Sequence, residues 1–109
     1  QLPQKSSFQA GNPLCIAYPA IQGEVSCDDA INIAIEKYSG EIIYINKTTV
    51  SIPVGILPNI ENVNKGVWII GVNLKEPIRS GNLEINSAEL FVTREDGELR
   101  INSLMGGRL

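Results

Sequence analysis

Apolar residues recur every three or four positions over one short segment, between Ser26 and Gly40. The residues with this spacing are Cys27, Ala30, Ile31, Ala34, Ile35 and Tyr38. This spacing is typical of one stripe of an amphipathic α-helix. Ser26 can accept hydrogen bonds from the free N–H groups of the first turn, where the helix dipole favours the charges of Asp28 and Asp29. The pattern predicts a helix over residues 27–39 that ends at Gly40.

After Gly40 the pattern changes to the alternation that is typical of β-strands. Residues 41–45 are mostly β-branched or aromatic, and residues 48–52 follow them across Asn46 and Lys47. These two segments are predicted to be short paired strands joined by a turn.

Proline and glycine then interrupt the pattern. Pro53, Gly55 and Pro58 predict an irregular loop that extends to about Lys65. The loop has almost no charge, and its large apolar residues are Ile56, Leu57, Ile60 and Val63. Because such a loop must either fold over the core or contact a partner, these residues are candidate partner contacts.

The next apolar run is the longest that reads as a strand. Residues 66–74 are nearly all apolar and include Trp68, so they predict a central strand that is buried on both faces. Leu83 and Ile85 alternate with polar residues and predict a short strand further along the chain.

The clearest hairpin signal lies in the last third of the chain. Asp96 and Gly97 favour a tight turn, which would place Val92 opposite Ile101. The apolar residues that then share a face are Leu90, Val92, Leu99 and Ile101. A slip of one residue would expose all of them, so the hydrophobic pattern restricts the register.

These elements predict an α+β fold, in which one N-terminal amphipathic helix packs on an antiparallel sheet of about five to six strands. The alternative is an all-β sandwich or barrel with a peripheral helix. Residues 15–109 form a single domain in this interpretation. Residues 1–14 are polar and interrupted by proline and glycine, which predicts either a flexible arm, with Phe8 as an anchor on a neighbouring subunit, or a frayed terminus.

Cys15 and Cys27 are the chain's two cysteines. We expect a disulfide that staples the arm to the domain and stabilises it by about 3 kcal/mol. A disulfide would place the protein in an oxidising compartment, secreted or at the cell surface. The alternatives are a pair of inert buried thiols, or a reactive thiol at Cys27, which the neighbouring acids Asp28 and Asp29 disfavour.

Composition excludes several classes of function. The chain has no histidine, which removes the commonest general base and metal ligand. Its net charge is −3, without a basic cluster, which argues against nucleic-acid binding. It has no apolar run long enough to span a membrane. We therefore expect no enzymatic activity, cofactor or metal site.

Two classes of function follow from these observations. The first is a non-enzymatic extracytoplasmic subunit that acts through protein–protein contacts in a pilus- or fibre-like surface assembly. Ile33, which lies off the helix stripe, is either a further contact residue for such a partner or an ordinary exposed residue. The second is a small secreted ligand-binding module, in which several aromatic residues would bind a carbohydrate. The alternative role of those residues is core packing.

Overall fold

A four-stranded antiparallel sheet with one α-helix on one of its faces makes up the fold, in a computed structural model that describes residues 12–108. The elements are a 3₁₀-helix (Pro13–Cys15), α1 (Cys27–Lys37), β1 (Gly40–Ile56), β2 (Asn59–Ser80), β3 (Leu83–Thr93) and β4 (Leu99–Arg108). The strands lie in the order β1-β2-β3-β4, so each strand pairs with the next one along the chain. The α+β class predicted from the sequence is therefore confirmed in its broad form.

The predicted helix is present and begins as expected. The Ser26 side chain accepts a hydrogen bond from the Asp29 backbone N–H at 3.1 Å, and α1 follows directly. The helix ends at Lys37, two residues earlier than predicted, because Tyr38 is already extended. Gly40 has a different role from the predicted one: it begins β1, where a β-carbon would overlap the backbone of Asn73.

The core lies between α1 and the central strands. The helix contributes Cys27, Ala30, Ile31 and Ala34. The strands contribute Ile45, Trp68, Ile70, Val72, Ala88, Leu90 and Val92. Trp68 is 2% exposed, which confirms the prediction that its strand is central. From β4, only Leu99 among the described residues packs against this core.

Residues 12–108 form four strands rather than the five to six predicted, because two pairs of predicted short strands are continuous. Residues 41–45 and 48–52 both belong to β1, and no turn forms at Asn46 and Lys47. The segments around Leu83 and Leu90 are likewise both parts of β3. Polar residues are compatible with a strand that has solvent on one side, so they interrupt the apolar pattern without interrupting the backbone pairing.

The predicted loop after Pro53 is also wrong, since this segment is a long β-hairpin. β1 continues to Ile56, and β2 begins at Asn59 after a turn at Leu57 and Pro58. Pro53 is tolerated because β1 is an edge strand, which pairs only with β2. The pairing of β2 with β3 begins only at Val67.

Within the described part of the chain, residues 50–56 and 59–65 therefore pair only with each other, as a two-stranded ribbon that extends beyond the four-stranded part of the sheet. We call these residues, with the turn at 57–58, the ribbon.

The β3–β4 hairpin has a longer connection than the tight turn predicted. Residues 94–98 join the strands, and Val92 pairs with Leu99 rather than with Ile101. The shift is two residues, so the predicted apolar residues still share one face. A five-residue connection forms because the Asp96 carboxylate accepts hydrogen bonds from the Thr93 hydroxyl and from the Glu98 backbone N–H.

The predicted disulfide between Cys15 and Cys27 is present, with a Cα–Cα distance of 5.6 Å. It joins the 3₁₀-helix to the first residue of α1. The Asn12 backbone N–H also donates to the Asp28 carboxylate at 2.8 Å. Residues 12–14 are thus attached to the start of the helix by both covalent and hydrogen bonds.

Candidate functional site

The end of the ribbon carries the most exposed large apolar residues of the sheet. Ile56 is 84% exposed and Leu57 is 78% exposed. Ile60 and Val63 lie close to them along β2 and are also exposed. The structure thus brings four of the predicted contact residues together, on a projecting hairpin rather than a loop. We call Ile56, Leu57, Ile60 and Val63 the ribbon tip.

The pairing register divides the ribbon tip between two faces. Ile56 pairs with Asn59, and Ile52 pairs with Val63. Because side chains alternate along a strand, Ile56 and Val63 project from one face and Ile60 from the other. Glu61 lies on the face of Ile56 and is the ribbon's only acidic residue. A partner on this face would meet an apolar surface with a single negative charge.

Arg94 holds the base of the ribbon. Its Nη1 donates to the backbone carbonyl oxygens of Thr48 at 2.5 Å and Val67 at 2.9 Å, which lie on β1 and β2 respectively. A β-carbon at residue 66 would overlap the guanidinium group in this position, so Gly66 leaves the space that the group occupies. One side chain from the β3–β4 connection therefore bridges both strands where the ribbon leaves the sheet.

Glu24 and Val25, which precede α1, also bind at the ribbon base, near Arg94. The Val25 backbone N–H donates to the Arg94 carbonyl oxygen at 2.8 Å, and the Trp68 indole N–H donates to the Val25 carbonyl oxygen at 2.9 Å. The Glu24 carboxylate lies 3.6 Å from both Arg94 Nε and Lys47 Nζ. These bonds and ion pairs set the direction of the ribbon relative to the helix.

A cleft of about 430 Å³ lies beside the ribbon base. Its charged residues are Glu24, Lys65, Arg94 and Glu95. They are already paired, because Lys65 Nζ lies 3.6 Å from the Glu95 carboxylate and Arg94 lies near Glu24. The charges balance within the cleft, so its lining favours neither an anion nor a cation.

A second polar cluster lies on the sheet face opposite α1. The Tyr44 ring covers Gly71, where a β-carbon would overlap it. The Tyr44 hydroxyl donates to the Glu89 carboxylate at 2.5 Å, and the Asn102 side-chain amide donates to the same carboxylate. Burial, followed by the hydrogen bond and the negative charge of Glu89, raises the pKa of Tyr44 to about 12. The cluster links β1, β3 and β4 across the sheet.

The Asp96 carboxylate accepts hydrogen bonds from two residues of its own hairpin, Thr93 and Glu98. The hydrogen bond from the Thr93 hydroxyl, and then the one from the Glu98 backbone N–H, lower the pKa of Asp96. Both bonds lie within the β3–β4 connection, so the carboxylate stabilises this connection in its charged form.

The remaining predicted contact residues lie elsewhere. Phe8 is outside the described residues. Ile33 is half-buried and packs against the core, beside Gly97 of the β3–β4 connection. Ile33 therefore lies on α1 beside the β3–β4 connection, whereas the ribbon tip belongs to the hairpin of β1 and β2.

The aromatic residues that the structure describes do not converge on one exposed face. Trp68 is buried beneath α1, with Tyr18 edge-on to its ring at a centroid distance of 5.3 Å. Tyr44 pairs with Gly71, and Phe91 pairs with Ile69, on the opposite face of the sheet. The structure therefore divides the rings that a carbohydrate platform would need.

Sequence reasoning missed two features of the site. The first is the bridge made by Arg94, which no local sequence pattern predicts, because its hydrogen-bond acceptors Thr48 and Val67 are distant in the sequence. The second feature is on β4, where Ile101 is 47% exposed and Leu104 is 42% exposed. They pair with the core residues Leu90 and Ala88 respectively, so they lie on the helix side of the sheet.

Within residues 12–108, no three histidine, cysteine, aspartate or glutamate side chains are placed so that they could hold a metal ion. No helix in the same range combines the length and the apolar character needed to span a membrane.

No protein-family model, no curated protein and no solved structure matches the chain.

Proposed function

We propose that the protein is a non-enzymatic assembly subunit whose ribbon tip binds another protein. The observation that carries this proposal is the exposure of Ile56 and Leu57 at the end of a projecting hairpin. Complete burial of each side chain contributes about 1.5–3 kcal/mol. A partner would therefore gain several kcal/mol at a place where no described residue of the same chain covers these two side chains.

The attachment of the ribbon supports the same proposal. Arg94 bridges β1 and β2 at the ribbon base, and Gly66 allows the close approach of its guanidinium group. A projecting element that is held at its base loses less conformational entropy on binding than a mobile loop of the same composition.

The proposal includes a location outside the cytosol. The buried disulfide between Cys15 and Cys27 favours an oxidising location, which is outside the cytosol in most organisms. We propose a secreted or cell-surface subunit, in a pilus- or fibre-like assembly.

The test is sedimentation velocity of the oxidised full chain over a range of concentrations. The double variant Ile56→Ser/Leu57→Ser removes both exposed side chains. Ile16→Ser is the matched control, because Ile16 is also 84% exposed but lies outside the ribbon. We expect the wild type and the Ile16 variant to associate as concentration rises, and the tip variant to remain monomeric.

A wild-type chain that is monomeric at every concentration, and that sediments like the tip variant, would overturn the proposal. Circular dichroism and Trp68 fluorescence check that the tip variant is folded. Since Trp68 is in the core, its emission reports on folding independently of association.

A further inference from the structure

We infer that the partner of the ribbon tip is a second copy of this chain, and that the tip binds the exposed helix-side surface of β4. We define this surface as Ile101 and Leu104, and call it the β4 strip. The inference rests on the proposed function, since it names the partner of the ribbon tip.

The β4 strip has the features of a receptor for an apolar element. Ile101 and Leu104 extend the face of the core residues Leu90 and Ala88 to the edge of the sheet. The helix α1 packs against β1, β2 and β3, and the two β4 residues remain nearly half exposed. The strip therefore continues the apolar face of the core beyond the part that α1 packs against.

The charges of the two surfaces are complementary. In the ribbon, Glu61 is the only charged residue between Ile52 and Asn64. In β4, the charged residues are Arg100 and Arg108, both positive. Arg100 pairs with Phe91 on the face opposite α1 and lies 3.6 Å from the Glu98 carboxylate, so Arg108 is the β4 charge that remains for Glu61. Two ribbon tips would instead bring two Glu61 carboxylates together.

The topology makes this contact intermolecular. The ribbon is formed by β1 and β2, whereas the β4 strip lies at the opposite edge of the sheet, in the order β1-β2-β3-β4. Each copy thus presents one tip and one strip, which are different surfaces. A contact between different surfaces is heterologous, and it produces a ring or an open filament rather than a closed two-fold dimer.

Complementation between two variants tests this arrangement. The tip variant Ile56→Ser/Leu57→Ser keeps an intact strip, and the strip variant Ile101→Ser/Leu104→Ser keeps an intact tip. We expect each variant alone to be monomeric, and a mixture of the two to form a one-to-one dimer that does not grow. Sedimentation velocity distinguishes this dimer from the longer series of oligomers expected of the wild type.

A charge reversal provides a second readout. We expect Glu61→Arg to raise the dissociation constant about tenfold, which corresponds to about 1.4 kcal/mol. Arg108→Glu in the same chain should restore association to near the wild-type value. Arg79→Glu is the control reversal, because Arg79 lies on β2 beyond the ribbon and pairs with Glu84.

The outcomes separate the two proposals. If the tip variant is monomeric but the strip variant associates like the wild type, the β4 strip is not the receptor and the inference is overturned, while the proposed function stands. If the wild type itself never associates, both fail. Failure of the mixture to form a dimer would also overturn the inference, provided that both variants keep the fluorescence of folded Trp68.

Discussion

Tyr44 illustrates how one side chain can connect three strands. It lies on β1, its ring covers Gly71 of β2, and its hydroxyl donates to Glu89 of β3. The glycine leaves space for the ring, and the ring replaces the packing that the glycine lacks. Since Glu89 also accepts a hydrogen bond from Asn102 of β4, the cluster links every strand of the sheet.

The first prediction concerns the titration of Tyr44. Its pKa is raised from 10.0 to about 12, mainly by burial and then by Glu89. Between these pH values the folded chain binds more protons than the unfolded chain, so stability falls as pH rises. This contribution is fully present below pH 10 and is lost as pH passes 12. We expect a late phase in the ultraviolet titration of the chain's tyrosines.

Tyr44→Phe should abolish the late phase, and Glu89→Gln should move it to lower pH. Tyr38→Phe is the control, and it should leave the late phase in place. A wild-type titration in which all three tyrosines ionise together would contradict the assignment.

At the scale of elements, the helix was the most predictable part of the chain. Its stripe, its Ser26 cap and its two first-turn acids are local features, and local features can be read from one sequence. The strands were less predictable, because Asn46 and Pro53 are typical of turns. Both lie in β1, an edge strand whose pairing depends on β2 residues that are distant in the sequence.

The candidate site was also predictable only where its features are local in the sequence. The composition around Ile56 and Leu57 is sufficient to single out these residues as candidate contacts, and the structure shows that they are exposed. Its form as a hairpin required the pairing of β1 with β2. The bridge made by Arg94 required knowledge of which carbonyl groups lie near its guanidinium group, and no local pattern carries this information.

The prediction at the scale of elements concerns the disulfide, which joins the 3₁₀-helix to α1. We expect Cys15→Ala/Cys27→Ala to lower the free energy of unfolding by about 3 kcal/mol, because the unfolded chain loses a covalent constraint. Urea denaturation measures the change. A reductant should lower the stability of the wild type by a similar amount and leave the double variant unchanged.

A wild type whose urea midpoint does not respond to a reductant would contradict this prediction, once mass spectrometry has verified that the thiols are free. Far-UV circular dichroism before denaturation should remain that of a β-rich chain, since the four strands do not include either cysteine.

At the scale of the whole molecule, the sheet has more area than one helix can cover. α1 has 11 residues, whereas β2 alone has 22 residues. The helix packs against three strands, and the ribbon and the outer part of β4 extend beyond it. Each of those two places carries a group of exposed apolar residues, and the two groups lie at opposite edges of one sheet.

The prediction at this scale is that thermal stability depends on protein concentration. Association of folded chains stabilises the folded state by mass action, so Tm should rise with concentration. We expect a rise for the wild type and for Ile16→Ser, measured by calorimetry over a hundredfold range, roughly 5 to 500 µM. The Ile56→Ser/Leu57→Ser variant should have a constant Tm. A constant Tm for all three chains would contradict the prediction.

The continuity of β1 and β2 through the ribbon base has a mechanical consequence. A tensile load applied at the ribbon tip runs along the strand axes into the body of the sheet. To yield, β2 must slide past β3 along a ladder that extends from Val67 to Asn73. The hydrogen bonds of that ladder are then loaded together in shear, instead of being opened one after another. The element that projects from the molecule is thus also continuous with the strands that would carry a force into the sheet.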